Sequence, residues 1–159
     1  MTAWVDIAKT HLGTTEIPGP RSNPKIIGWA KKLGGKVGIP YTDDDTAWCG
    51  LFMGAVFQEA GLPVPNICVR ASEWAKVGVE VAGYSYGAIA VFKRPGGGHV
   101  GLIVGQTDST LLILGGNQGN RVSLTHIEKS RCTARRWPGS GVPKPAPTVK
   151  PGQLSINEA

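Results

Sequence analysis

The hydrophobic pattern of this chain changes character about halfway along. Up to Gly78, apolar residues recur at three- and four-residue spacing; beyond it, β-branched runs are bounded by glycines and turn residues. Thr2 stands as a cap for a first helix carrying Trp4, Ile7, Ala8 and His11 or Leu12 on one face, with Gly13 as its stop. Ser22-Asn23-Pro24 opens a second helix with proline in its first turn, an apolar face of Ile26, Ile27, Ala30 and Leu33, and Gly34-Gly35 at its end. A third helix runs from Cys49 to Ala60, apolar nearly all round, with Asp45 or Thr46 as its candidate N-cap and Gly61 as its stop. A short helix is predicted over 72–77. Strands are predicted over 88–93, 99–106, 111–114, 121–124 and 132–137, with Thr107-Asp108-Ser109 as a hairpin turn. Helices followed by consecutive antiparallel strands make an α+β domain, the helices packed on one face of the sheet.

Three places in this pattern carry chemistry. Cys49 opens the apolar run Trp48-Cys49-Gly50-Leu51-Phe52, where a helix N-terminus stabilises the reactive thiolate. The aspartates Asp43-Asp44-Asp45 oppose that shift to the extent that they point at the thiol. His99 follows the glycine loop Pro95-Gly96-Gly97-Gly98 and heads a strand. Asn117 and Gln118 lie in the polar turn after the next strand. A thiol on a helix, a base on the adjacent sheet and an amide to orient that base are the parts of a cysteine hydrolase. In this reading His99 takes the Cys49 proton and Asn117 accepts the other imidazole N–H. The bland alternatives are a core cysteine, a strand-end histidine and a turn-forming asparagine.

At these residues the sequence resembles the CHAP and NlpC-type cysteine hydrolases, closest to the branch of bacteriophage lysins and bacterial cell-wall hydrolases. Asp44-Asp45-Thr46-Ala47-Trp48-Cys49, Gly98-His99-Val100-Gly101 and Gly115-Gly116-Asn117-Gln118-Gly119-Asn120 carry the likeness, which extends from Leu12-Gly13-Thr14-Thr15 through Ser72-Glu73-Trp74 to Arg136-Trp137-Pro138. It implies a papain-like catalytic domain over 1–138 that cleaves an amide bond in the peptide part of peptidoglycan through a thioester. Cys49 then matches the nucleophile, His99 the general base and Asn117 the polar third member, with Trp48, Asp45, Gln118 and Trp74 lining the substrate groove. It implies neither metal nor cofactor. The chain departs from the pattern at Gly87-Ala88, where relatives often have Gly-Asp, and at Gly98, where an aromatic residue is common. Muramoyl-alanine amidase and stem-peptide endopeptidase share these groups. A wall-binding module without chemistry, or a cysteine protease or deamidase toxin acting on a protein, are the alternatives.

Composition adds limits. A length of 159 residues with 41% hydrophobic residues suits one domain with a single core, expected to be a monomer. Three cysteines cannot all pair; Cys68 and Cys132 are the available couple, and three reduced thiols are the simpler state. No stretch approaches the roughly 18 apolar residues of a membrane helix, and Met1-Thr2-Ala3-Trp4-Val5-Asp6 has no signal-peptide pattern. A wall substrate therefore implies synthesis in the cytoplasm and release to the periplasm or wall by a holin-type pore or a secretion machine. The formal charge is +6, and Lys129, Arg131, Arg135, Arg136, Lys144 and Lys150 have no acid between them. This basic stretch suits anionic wall or outer-membrane polymers; nucleic acid is disfavoured because no stacking aromatics are interleaved except Trp137. Five prolines between Pro138 and Pro151 mark 139–159 as an extended, disordered tail. Glu16 lacks the second carboxylate of a glycosidase, Asp43-Asp44-Asp45 lacks the spacing of an EF-hand calcium loop, and His11 and His126 lack a second ligand at zinc spacing.

Overall fold

A computed structural model describes residues 2–17, 22–40 and 47–158. The chain folds as α+β, with α1 (Ala3–Thr10), α2 (Pro24–Leu33) and α3 (Cys49–Glu59) ahead of a six-stranded antiparallel sheet. Its strands are β1 (Val79–Glu80), β2 (Ile89–Arg94), β3 (Gly97–Gln106), β4 (Thr110–Gly115), β5 (Ser123–Glu128) and β6 (Cys132–Trp137), in spatial order β1-β6-β2-β3-β4-β5. The 72–77 helix is a 3-10 turn over Ala71–Lys76.

Local chemistry accounts for the helix starts. Asn23 caps α2 through its Oδ1, which accepts from the Lys25 N–H at 2.9 Å, and Pro24 occupies the first turn. The buried face of α2 is Ile26, Trp29, Ala30 and Leu33; Trp29 takes the place expected of Ile27. Helix α3 is apolar all round because it is enclosed: α1 and α2 pack on its outer side, β3 and β4 on its inner side, and Leu51, Phe52, Met53, Val56 and Phe57 have no exposed surface. Strand β5 begins at Ser123 rather than residue 121, because Gln118 to Val122 form a turn that Thr14 and Arg121 close by backbone hydrogen bonds.

The proline-rich segment is extended but not a free tail. Tyr86 N–H donates to Lys144 O, Ala146 N–H to Tyr84 O, Gln106 N–H to Pro147 O, Val149 N–H to Gln106 O and Ser155 N–H to His126 O, all at 2.8–2.9 Å. The prolines hold the backbone extended, and the residues between them supply the donors that an exposed strand end lacks. The basic stretch likewise turns inward. Arg136 donates to Val77 O and Gly78 O, Arg135 to Ala82 O while lying 4.4 Å over the Tyr84 ring, and Lys129 to Gln106 Oε1. Arg131 donates to Lys93 O, Ser155 O and the carboxylate of Glu158, whose side chain has no exposed surface. No helix among the described residues is long and apolar enough to cross a membrane.

Burial works against the Glu158 charge, but the Arg131 and Ser155 hydrogen bonds and the nearby charges of His99 and Arg131 outweigh it and hold the carboxyl below its usual range. A depressed carboxyl stabilises the fold fully above the unfolded-state pKa, and that stability is lost as pH falls through the folded value. Removing Arg131 leaves the charge buried without its cation, so Arg131→Ala should cost about 3–5 kcal/mol in urea denaturation near neutral pH. The deficit should shrink towards about pH 4 as Glu158 takes up a proton. A loss that is small, or independent of pH, would mean that the pair does not hold the segment down.

Candidate active site

Cys49 is the first residue of α3, and Trp48 is its N-cap. The Trp48 side chain makes no cap bond; its indole N–H donates instead to Glu16 Oε1 at 2.6 Å. The thiol thus sits in the first helical turn, where backbone N–H groups lack helical acceptors. Gly50 is required immediately behind it, since a Cβ there would lie 2.1 Å from the Cys68 carbonyl oxygen. In the same 67–70 segment Ile67 stands at φ 56°, a costly conformation for a β-branched residue.

His99 lies on β3 opposite Phe92 of β2 and is fully buried. Its Nε2–H donates to Gln118 Oε1 at 2.9 Å. The orientation of that amide is forced, because Gln118 Nε2 donates to Ile113 O at 3.1 Å and Ser123 O at 2.7 Å. Only the oxygen can face the imidazole, so Nε2 carries the proton and Nδ1 has a free lone pair. Nδ1 is buried without another partner, which leaves it to the Cys49 thiol. The thiol–imidazole contact falls short of full hydrogen-bond geometry, as resting catalytic pairs often do. The two groups nevertheless shift one another.

For Cys49 the largest single influence is burial, which opposes ionisation. The close polar contact and charge of His99, with the Val100 and Gly50 backbone, together outweigh it and hold the thiol below its usual value. For His99 burial likewise opposes the charge, and Cys49, Gln118 and the more distant Glu158 together raise its pKa. At the other two thiols burial outweighs the neighbours that favour ionisation. It pushes Cys68 up to about 11 and raises Cys132 as well; all three cysteines are free. Each group thus shifts the other towards the thiolate–imidazolium form, which can attack an electrophilic carbon and then protonate a leaving group.

A groove of about 480 Å³ opens onto Cys49 between the 69–72 segment and the β2–β3 hairpin. A second depression, about 500 Å³, lies between the three helices around His11, Trp29 and Lys32 and is lined by no cysteine, serine or threonine.

Three of the sequence-based assignments change. Asn117 does not reach His99: it takes a left-handed conformation, φ 58°, as a turn former between Gly116 and Gln118, and Gln118 is the residue that holds the imidazole. The longer side chain spans the distance, and Gly115 leaves room for it, since a Cβ there would lie 2.7 Å from Gln118 Oε1. Gln118 thus orients the base and is 3% exposed, with little surface for a substrate. Trp48 and Trp74 have no surface for a ligand at all. The Trp74 indole donates to Cys68 O at 2.8 Å and its ring packs edge-on against Phe57, so both tryptophans belong to the core. Asp45, with Asp43, Asp44 and Thr46, lies outside the described residues. Among the described residues no His, Cys, Asp and Glu cluster is placed to hold a metal ion. Glu158 gave no signal in the sequence, being 59 positions from His99 in a segment read as a tail. No protein-family model matches the chain, and no curated protein is detectably similar to it.

Iodoacetamide should label Cys49 in the native protein with a pH midpoint below the ordinary thiol value, while Cys68 reacts only after unfolding. His99→Ala should move the midpoint upward, because burial then acts without its counterweight. A midpoint unmoved by that substitution would show that the two groups are not coupled.

Proposed function

We propose that the protein is a cysteine peptidoglycan hydrolase of the CHAP/NlpC type, with the papain-like arrangement of a thiol on a helix facing a base on a sheet. The observation that carries this reading is the buried Cys49–His99–Gln118 series, with its polarised thiol and its fixed histidine tautomer. The motifs around Cys49, His99 and Gly115-Gly116-Asn117-Gln118 support the wall-hydrolase branch.

In the proposed reaction the Cys49 thiolate attacks the carbonyl carbon of a peptide amide, forming the S–C bond while the carbonyl electron pair moves to oxygen. In this reading the Cys49 backbone N–H, at the N-terminal end of α3, serves as one oxyanion donor. The imidazolium of His99 gives its proton to the leaving nitrogen as the C–N bond breaks, and a thioester remains. His99, now neutral, takes a proton from water, the hydroxide adds to the thioester, and the acid product departs with the thiolate restored. Gln118 keeps Nδ1 directed at the sulfur throughout. A purely wall-binding module would not need a depressed thiol, whereas a toxin acting on a protein amide would use the same groups. A wall substrate places the site of action outside the cytoplasm, reached through a holin-type pore or a secretion machine.

Incubating purified Gram-negative peptidoglycan with the wild type and with Cys49→Ala, followed by mass spectrometry, tests the reading. Fragments that require Cys49 are expected; free stem peptides identify an amidase and shortened stems an endopeptidase. Absence of fragments with a folded wild-type protein overturns it. Within an active enzyme, His99→Ala should lower kcat by about 10²–10⁴-fold. Gln118→Ala should cost less, because the imidazole remains but loses its orientation.

A further inference from the structure

The groove beside Cys49 is lined by three cations, Arg70, Lys93 and Arg94, and by no carboxylate among the described residues. Several cations outside the groove are taken up by partners within the fold. Lys76 pairs with Glu73, Arg131 with Glu158, and Lys129, Arg135 and Arg136 bond to acceptors within the fold. Arg70 and Lys93 are exposed and have no anionic partner among the described residues. Arg94 is anchored behind them, its Nε donating to Gly98 O at 3.0 Å and its Nη1 to Pro95 O at 3.1 Å, so its charge is fixed at the hairpin end of the groove. Arg70 stands on the opposite wall, at the cap of the 3-10 turn over Ala71–Lys76. Two walls that each present positive charge, on either side of a nucleophile, suit an anionic group held close to the bond being cut.

We propose that Arg70 and Lys93, backed by Arg94, form an anion subsite that selects substrates bearing a carboxylate next to the scissile amide. The inference rests on the hydrolase reading and deepens it by naming an acidic peptide as the substrate class. Each exposed cation contributes roughly two- to fivefold in preference for the anionic substrate over a neutral counterpart, and added salt weakens that preference.

Alkylation of Cys49 measures the subsite without any substrate. Iodoacetate carries a carboxylate and iodoacetamide is its neutral counterpart with the same leaving group, so their rate ratio reports the potential at the sulfur, and the neutral reagent controls for changes in the thiolate. The wild-type ratio should exceed that of the Arg70→Gln/Lys93→Gln double variant several-fold, and the difference should collapse in high salt. A double variant with the wild-type ratio overturns the proposal. Peptidoglycan with its free carboxyl groups amidated should then be cut more slowly than untreated peptidoglycan by the wild type, with the gap reduced in the double variant. If neither form is cut, the hydrolase reading falls, while the anion subsite still stands or falls on the alkylation ratio.

Discussion

The structure depends on the close approach of one apolar helix to a turn segment and to the end of a strand. Helix α3 is buried over most of its surface, and its first turn lies against the 67–70 segment on one flank and the end of β4 on the other. Both approaches are shorter than a side chain allows. A Cβ on Gly50 would meet the Cys68 carbonyl, and one on Gly116 would lie 2.7 Å from Phe52 and 2.9 Å from the Trp48 ring. These contacts seat the thiol of Cys49 beside a histidine that reaches the site from β3. Tight packing transmits the constraint, because a close-packed interior has little slack to take up a shift at the helix start.

Burial of the pair is the second consequence, and it sets the chemistry. A buried thiol and a buried imidazole each resist ionisation when alone, as Cys68 shows at about 11. Together they reverse the direction, because each supplies the opposite charge in a medium that screens it poorly. Gln118 is the hinge of that reversal. Two backbone carbonyls hold its amide so that only oxygen faces His99, which fixes the proton on Nε2 and directs the lone pair of Nδ1 to the sulfur.

The charged and proline-rich residues of the later part of the chain serve the same enclosure. Arginine side chains that look like a solvated basic face instead reach back to backbone carbonyls at Val77, Gly78, Ala82 and Lys93, and the extended segment pairs with Gln106 and His126. Glu158 is enclosed in this way and adds a negative charge within range of His99. The side chains of the groove cations Arg70 and Lys93 stay exposed instead and have no acidic partner among the described residues.

The sequence by itself determined the α+β order, all three helices, four of the strands to within a residue or two and the pairing of Cys49 with His99. These features follow from local periodicity, caps and glycine stops, which act over a few residues. It also named the amide turn after β4 but favoured Asn117, because chain order says nothing of side-chain reach or of a left-handed φ at 58°. The start of β5, the short β1 over Val79–Glu80, the burial of Trp48 and Trp74 and the inward docking of 144–158 were decided only by tertiary structure. Each depends on contacts between residues far apart in the chain, and composition cannot tell a proline-rich segment that is free from one whose few N–H groups find acceptors on a sheet.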